Sequence, residues 1–339
     1  MEHFTLGSRY YYSRLSQFER EKYRETYDQL VDGCTSAQFC LPGTDFVFPS
    51  GLTVPTFVNY ILADNPHLFH LDLSCIHYRR IGPTIELWTD VLYSSDEFSA
   101  LYADLHIAVK GLLREAEKLD SDFRKVRFFH DYLSKTNHYS LLGPDERSKL
   151  EAHTIVGGLL GHQCVCDGYA RSFRLLCDQA HISCIVALGE SMQSGSPVCH
   201  AWNFVKLEKL VYHCDVTWDS VLYHKDFPFW DYYFLRSDNC FIREHHWDPH
   251  TYPPTAPDHP LSLKPVSDKW ELEKYVLEKL KEQSPVFVVP LADSFPGNKA
   301  SVRIFHDLIR RNPQAFGKQR IHHTEYFDDR KMLVVYMEG

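Results

Sequence analysis

No cluster of basic residues appears along this chain, and its amino-terminal stretch contains no uninterrupted apolar run. Lysine and arginine total 36 against 45 aspartate and glutamate, a formal charge of -9. A Lys/Arg stripe able to track a phosphate backbone is missing, so nucleic acid is not an expected partner. In MEHFTLGSRYYYSRLSQFEREKYRE, polar or charged residues interrupt every few positions. That excludes the pattern of a signal peptide or membrane anchor, and the expected location is the cytoplasm, with no membrane partner. There is no internal repeat, no low-complexity tract and no DxDxDG loop of the kind that binds calcium. Cysteine is present ten times. In 339 residues without an export signal, that count reads as free thiols and not as a disulfide framework. With 44% apolar and 14% aromatic residues, the chain can bury more than one core.

Hydrophobic spacing divides the chain. Residues 14–32 place Leu15, Phe18, Tyr23, Tyr27, Leu30 and Val31 at helical intervals above a charged face. TDFVFPSGLTVP and the run from LFHLDLSCIHYRR to IELWTDVLYS predict short strands. Helical spacing returns from Ser99 to about Ser134, and again from Cys166. YPPTAPDHPLSLKP, with five prolines in fourteen residues, predicts a linker over 252–265. Beyond it, KWELEKYVLEKLKEQ and SVRIFHDLIRRN predict helices, PVFVVPL a buried strand, and RIHHTEYFD with KMLVVYME a hairpin. The expected organisation is a helical and stranded region over 1–120, a core over 121–251, the linker, and a small α/β unit over 266–339.

Chemistry concentrates in GHQCVCDGYARSF. Tyr169, Ala170, Phe173, Leu176, Cys177 and Ala180 form one apolar stripe, which places Cys166 at a helix amino terminus, where the dipole favours a thiolate. Cys164 lies outside the stripe and reads as a small neighbour. Gly168 is a poor helix former there, and a close packing neighbour would explain it. A nucleophilic cysteine needs a base and an orienter. Both occur in CHAWNFVKLEKLVYHCDVTWD, which predicts a hairpin turning around Leu207–Lys209. With a two-residue loop, facing partners sum to 415 or 417. Either register puts His200 and Asp215 on one face, opposite or diagonal by a step.

The motifs CVCDGYARSF, CHAWNFV and VYHCDVTWD, in this order and spacing, resemble the transglutaminase-like superfamily of papain-like cysteine enzymes. The resemblance covers Val165 to Asp219 closely and about 125–250 loosely. It implies an α+β fold, with a cysteine-bearing helix packed on an antiparallel sheet, and a catalytic triad of Cys166, His200 and Asp215. The implied reaction is acyl transfer on protein or peptide amides through a thioester, with hydrolysis ranked ahead of amine cross-linking and with no cofactor or metal. Trp202, Tyr169 and Trp218 are the substrate-side candidates, Trp202 and Trp218 reading as core and pocket wall. The chain departs from the family at His162-Gln163-Cys164, where a Gly-Lys-Gly-like approach is usual, and at Glu208-Lys209, where the turn often holds Asp-Gly. Gln163 reads as a loop residue and not as an oxyanion donor, Asp219 as a turn or cap, and Asn203 as pointing away from His200. His246 with Trp247 reads as domain-edge packing.

Two other readings stay open. Cys164, Cys166, Cys199, His200, His213 and Cys214 could furnish a zinc site, although adjacent strand residues point to opposite faces. The fold could also persist as a catalytically silent binding module.

Overall fold

The structure is a computed structural model that describes residues 4, 7, 9–73, 75–139, 146–193, 196–224, 231–259, 265–281, 286–292, 294–296, 298–312, 320–327 and 331–338. Two compact units are present. One comprises Met1–Val221 with Tyr233–Pro257, the other Leu222–Tyr232 with Asp258–Gly339. Residues 260–264 of the proline-rich stretch lie outside the described residues.

The first unit opens with α1 (Tyr10–Arg14) and α2 (Gln17–Leu30). Ser16 starts α2 as a capping box: its hydroxyl accepts from the Glu19 N–H, and the Glu19 carboxylate accepts from the Ser16 N–H at 2.8 Å. There follow β1 (Ser36–Cys40), α3 (Val54–Asp64), β2 (His77–Ile81) and β3 (Thr84–Trp88), the strands forming an antiparallel sheet in the order β1-β3-β2. Here the strand expectation is corrected. HYRR and IELW do form strands. Among the described residues of 44–53 and 68–75, the strand pairing is limited to the isolated bridges Val47–Thr53 and Leu71–Val91. VPTFVNYILAD is a helix, because Thr53 caps it and Pro55 sits in its first turn, where a missing N–H costs nothing. Phe57, Val58, Ile61 and Leu62 then fall on one buried face.

Next come α4 (Ser95–Ala116), α5 (Asp122–Thr136), β4 (His138–Tyr139), α6 (Glu146–Glu151) and β5 (Gln163–Cys164), which pairs in parallel with β4. α7 (Cys166–Gln179) leads into β6 (Cys184–Gln193), β7 (Ser196–Leu207) and β8 (Leu210–Cys214). α8 (Val216–His224), α9 (Asp238–Phe241) and β9 (His245–His246) complete the set. The sheet is antiparallel in the order β8-β7-β6-β9. α7 lays Tyr169, Phe173, Leu176 and Cys177 into a core shared with α4, α5 and the sheet.

The other face of α7 is polar and also buried. Arg171 donates to the Leu62 carbonyl. Arg174 donates to the Ala63 carbonyl at 2.9 Å and contacts Asp64 at 3.4 Å and Asp178 at 3.3 Å. Asp64 also accepts from the Tyr11 and Tyr12 N–H groups and from the Tyr23 hydroxyl. The amino-terminal helices therefore clamp the cysteine-bearing helix through one buried carboxylate.

The second unit contains α10 (Lys269–Lys281), β10 (Val286–Pro290), α11 (Asn298–Arg311), β11 (Arg320–Phe327) and β12 (Met332–Glu338). Its antiparallel sheet runs β10-β12-β11. The fold class is α+β. Among the described residues, no helix is long and apolar enough to cross a membrane.

Candidate active site

Cys166 is the first residue of α7 and is half-buried, whereas Cys164 is fully buried. Burial pushes the thiols of Cys164, Cys177 and Cys214 well above the ordinary cysteine range. Gly168 is required by close approach: a Cβ there would lie 2.3 Å from the Ala152 carbonyl oxygen and 2.6 Å from the Cys164 Cβ. The helix start is thus pressed onto the preceding loop, and Val165 N–H bonds the same Ala152 carbonyl at 3.0 Å.

The base comes from the sheet. β7 and β8 pair with Leu207 facing Leu210 and Asn203 facing Cys214, the 417 register, and Glu208 takes a positive φ of 54° in the two-residue turn. Asp215 follows β8 directly, so its side chain meets His200 diagonally. The His200 Nε2–H donates to Asp215 Oδ2 at 2.8 Å, leaving Nδ1 as the other ring nitrogen, and the Cys166 sulfur nearby helps to hold the proton on the ring. The Trp218 N–H donates to Asp215 Oδ1 at 3.1 Å. Asn203 is on the opposite side of the strand, where its amide donates to the Ala170 and Ile185 carbonyls and ties α7 to the sheet.

A residue absent from the sequence-derived set completes this cluster. His245, on edge strand β9, donates its Nε2–H to the same Asp215 Oδ2 at 2.9 Å. Strand alternation hides the signal: in HHWD one histidine must turn inward, and it is His245, fully buried, while His246 is exposed. A buried carboxylate needs several donors, which was the available clue. Gly189 makes room here, since a Cβ on it would strike the His246 carbonyl at 2.4 Å and the Trp202 ring at 2.7 Å.

Charge follows from this geometry. Burial alone pushes His200 down, but the Asp215 carboxylate and the Cys166 sulfur outweigh it and raise it to about 10. Burial likewise works against the Asp215 charge, yet His200 and His245 hold that carboxyl well below the usual carboxylate range. For His245 burial wins, and it is pushed down to about 4. One imidazole of the pair is therefore a cation and the other a neutral donor at neutral pH. Asp167, beside Cys166, is held low against burial by His153, Arg171 and His200.

The remaining sequence-derived residues are placed as follows. Trp202 is buried, its indole N–H donating to His213 Nδ1 at 2.9 Å, while His213 Nε2–H donates to Asp238 at 2.8 Å. Tyr169 is fully buried with its hydroxyl paired to Ser220 at 2.7 Å. Of the three substrate-side candidates, Trp218 alone keeps partial exposure. Asp219 is a buried carboxylate that binds His130 Nε2 at 2.9 Å and accepts from the Tyr233 N–H, joining α5 to α8. Gln163 is exposed on β5. From the cysteine and histidine set of the zinc reading, only His200 falls, among the described residues, in a group whose ligand-type atoms lie within 4.8 Å of one another. Its companions there are Asp215 and His245. Both imidazoles aim an Nε2 at one carboxylate oxygen at hydrogen-bond distance.

An α+β fold that sets a half-exposed helix-terminal cysteine against a sheet-borne His–Asp pair defines the class of site. No family model and no curated protein matches the chain. Among solved structures, the chain is similar to a transglutaminase (TGase) over 42% of its length and 43% of that chain, at 17% identity and a TM-score of 0.30. A candidate cysteine protease from Cytophaga hutchinsonii is similar over 42% of this chain and 61% of its own, at 14% identity and a TM-score of 0.28. The chain thus spans less than half of the first and about three fifths of the second.

Proposed function

We propose that this protein is a thiol-dependent acyl-transfer enzyme acting on protein or peptide amides, with Cys166 as nucleophile, His200 as acid and base, and Asp215 as orienter. The observation that carries the proposal is the His200 ring. It is held through Nε2 by a buried carboxylate at 2.8 Å, and it lies near Cys166, the first residue of α7, whose sulfur joins Asp215 in raising the ring's hold on its proton.

In this reading the Cys166 thiolate attacks an amide carbonyl and forms a C–S bond. The tetrahedral oxyanion is met by the Cys166 backbone N–H. His200 gives its proton to the nitrogen, the C–N bond breaks, and the amine leaves. His200, now neutral, takes a proton from water, whose oxygen attacks the thioester. The acid departs and the thiolate–imidazolium pair is restored. Water is ranked ahead of an amine as acceptor, following the family resemblance. Trp218, the partly exposed aromatic beside His200 with ring centroids 5.9 Å apart, is assigned to the pocket wall. The expected setting is the reducing cytoplasm, and all ten cysteines are free thiols in the structure.

The test is alkylation of each cysteine, read peptide by peptide by mass spectrometry between pH 5 and 10, in wild type and His200→Ala. Cys166 should react far ahead of the other nine at pH 6 and lose that lead in the variant. A Cys166 that reacts like its neighbours would leave the fold as a binding module. A Cys166 freed only by a chelator would turn the assignment to metal binding.

A further inference from the structure

The mechanism above uses one histidine on Asp215, and the structure supplies two. Their Nε2 atoms converge on one oxygen, Oδ2, at 2.8 and 2.9 Å. From this shared oxygen we infer that His245 is a positioning residue that tempers His200, weakening the hold of Asp215 on the imidazolium so that its proton can pass to the leaving amine. The inference rests on the reading of His200 as the acid and base.

The argument is one of competition. A carboxylate oxygen that already accepts one N–H offers less charge to a second. The His245 donor stabilises Asp215 most when His200 is neutral and the carboxylate stands uncompensated. Removing that donor destabilises the neutral-His200 state more than the cationic one, and the proton affinity of His200 rises.

The fold keeps His245 in this role. Its ring is packed by Phe241 at 4.5 Å, Trp218 at 4.6 Å, Trp202 at 5.1 Å and Tyr233 at 5.7 Å between centroids, so it cannot swing away from Oδ2. Its Nδ1 is buried without a hydrogen-bond partner among the described residues. A second proton there would be an unsatisfied buried donor on a cation, which disfavours the charged ring. Burial, with His200 and His213 nearby, accordingly pushes His245 down despite Asp215. The titratable groups facing the cluster are Cys166 and Asp167 from α7, Tyr139 from β4, His213 from β8, Asp215 after it, and Tyr233 with its hydroxyl on Glu244. None of these supplies a second imidazole to Oδ2.

The test separates donation from packing. His245→Phe keeps an aromatic ring and loses the donor. His245→Gln loses the ring and keeps an N–H. His245→Leu, a second non-donor, stands beside the phenylalanine variant in case that one fails to fold. Each is made in a Cys166→Ala background, so that the thiol no longer contributes to the His200 proton, and the His200 ring is titrated by NMR after circular dichroism has checked the fold. The expected result is a titration moved upward by about one pH unit, a tenfold tighter proton, in the non-donor variants, with glutamine close to the parent. An unmoved or lowered titration in the non-donor variants would overturn the inference, and so would glutamine moving as far as phenylalanine. The alkylation experiment on wild type is independent of these variants. If Cys166 shows no lead there, the enzyme reading fails by itself, whatever His200 does here.

Discussion

Asp215→Asn is the most informative single change, because the buried pair it breaks has a calculable weight. The amide keeps the shape of the side chain and removes the charge. His200 then loses its largest support and is left with burial, which pushes it down, against the Cys166 sulfur, which pushes it up, so its hold on the proton weakens. In wild type the ring sits at about 10. The interval from 6.5 corresponds to about 5 kcal/mol at 1.36 kcal/mol per pH unit, Cys166 included. The matching depression of Asp215 is the same interaction seen from its partner and is not added to it. Breaking a buried pair costs roughly 3–5 kcal/mol by direct comparison, so a loss in that range is expected at pH 7. The sign with pH is definite. A raised histidine contributes fully below its unfolded value of about 6.5, and that contribution is lost as pH rises through about 10. With both proteins made in a Cys166→Ala background, so that no thiolate titrates beside the ring, the parent's advantage over the Asp215→Asn variant should shrink by about 1.4 kcal/mol per pH unit from the unfolded value of about 6.5 up to the folded pKa of the ring. Urea denaturation at pH 7, 8, 9 and 9.5, followed by far-UV circular dichroism, measures the gap. A gap that stays constant from pH 7 to 9.5 would refute the assignment of His200 as a carboxylate-held cation.

Three further perturbations address the parts that support the site. Gly168→Ala places a Cβ 2.3 Å from a backbone oxygen, so it should cost at least about 2 kcal/mol and slow Cys166 alkylation by shifting the start of α7, as thermal melts and the alkylation rate will show. Asp219→Ala takes the Nε2 partner from buried His130, which keeps Asp131 at Nδ1, and should cost about 3 kcal/mol, yet the Cys166 lead at pH 6 should survive in the folded fraction, because the His200–Asp215 bond is left in place. Asp64→Ala removes the acceptor shared by Tyr11, Tyr12, Tyr23 and Arg174, so limited proteolysis should cut within residues 10–64 much earlier than in wild type, with a loss of about 2–4 kcal/mol in denaturation.

What could be read in advance depended on whether a pattern was local. The stripe after Cys166 has the period of a helix and needs no partner to be seen, and α7 begins where it predicts. The hairpin was harder. Glu208-Lys209 is unusual turn chemistry, and only the structure shows Glu208 accepting a left-handed backbone to close a two-residue loop. Once that register is 417, the diagonal meeting of His200 with Asp215 follows from strand pleating alone. α3 escaped because Pro55 and the preceding Pro49-Ser50-Gly51 read as strand punctuation. The deciding feature was the Thr53 cap, a signal one residue wide. The buried ionic face of α7 escaped because Arg171, Arg174 and Asp178 look like a solvated helix face until a second segment supplies Asp64 and two carbonyls.

His245 escaped for a topological reason that also explains why it is there. β9 follows β8 at a distance of some thirty residues but pairs with β6, on the far edge of the sheet from β8. Ser191 faces His245 and Gly189 faces His200, and the missing side chain of Gly189 lets the Trp202 ring and the β9 backbone close together. The two imidazoles therefore approach Asp215 from strands on either side of β6, one nearly central and one at the edge. Gly189 keeps that approach open, because a Cβ on it would meet the His246 carbonyl oxygen at 2.4 Å and the Trp202 ring at 2.7 Å. On that argument, the glycine, both histidines and the aspartate form one geometric unit, and replacing Gly189 by alanine should disturb both contacts to Oδ2 together.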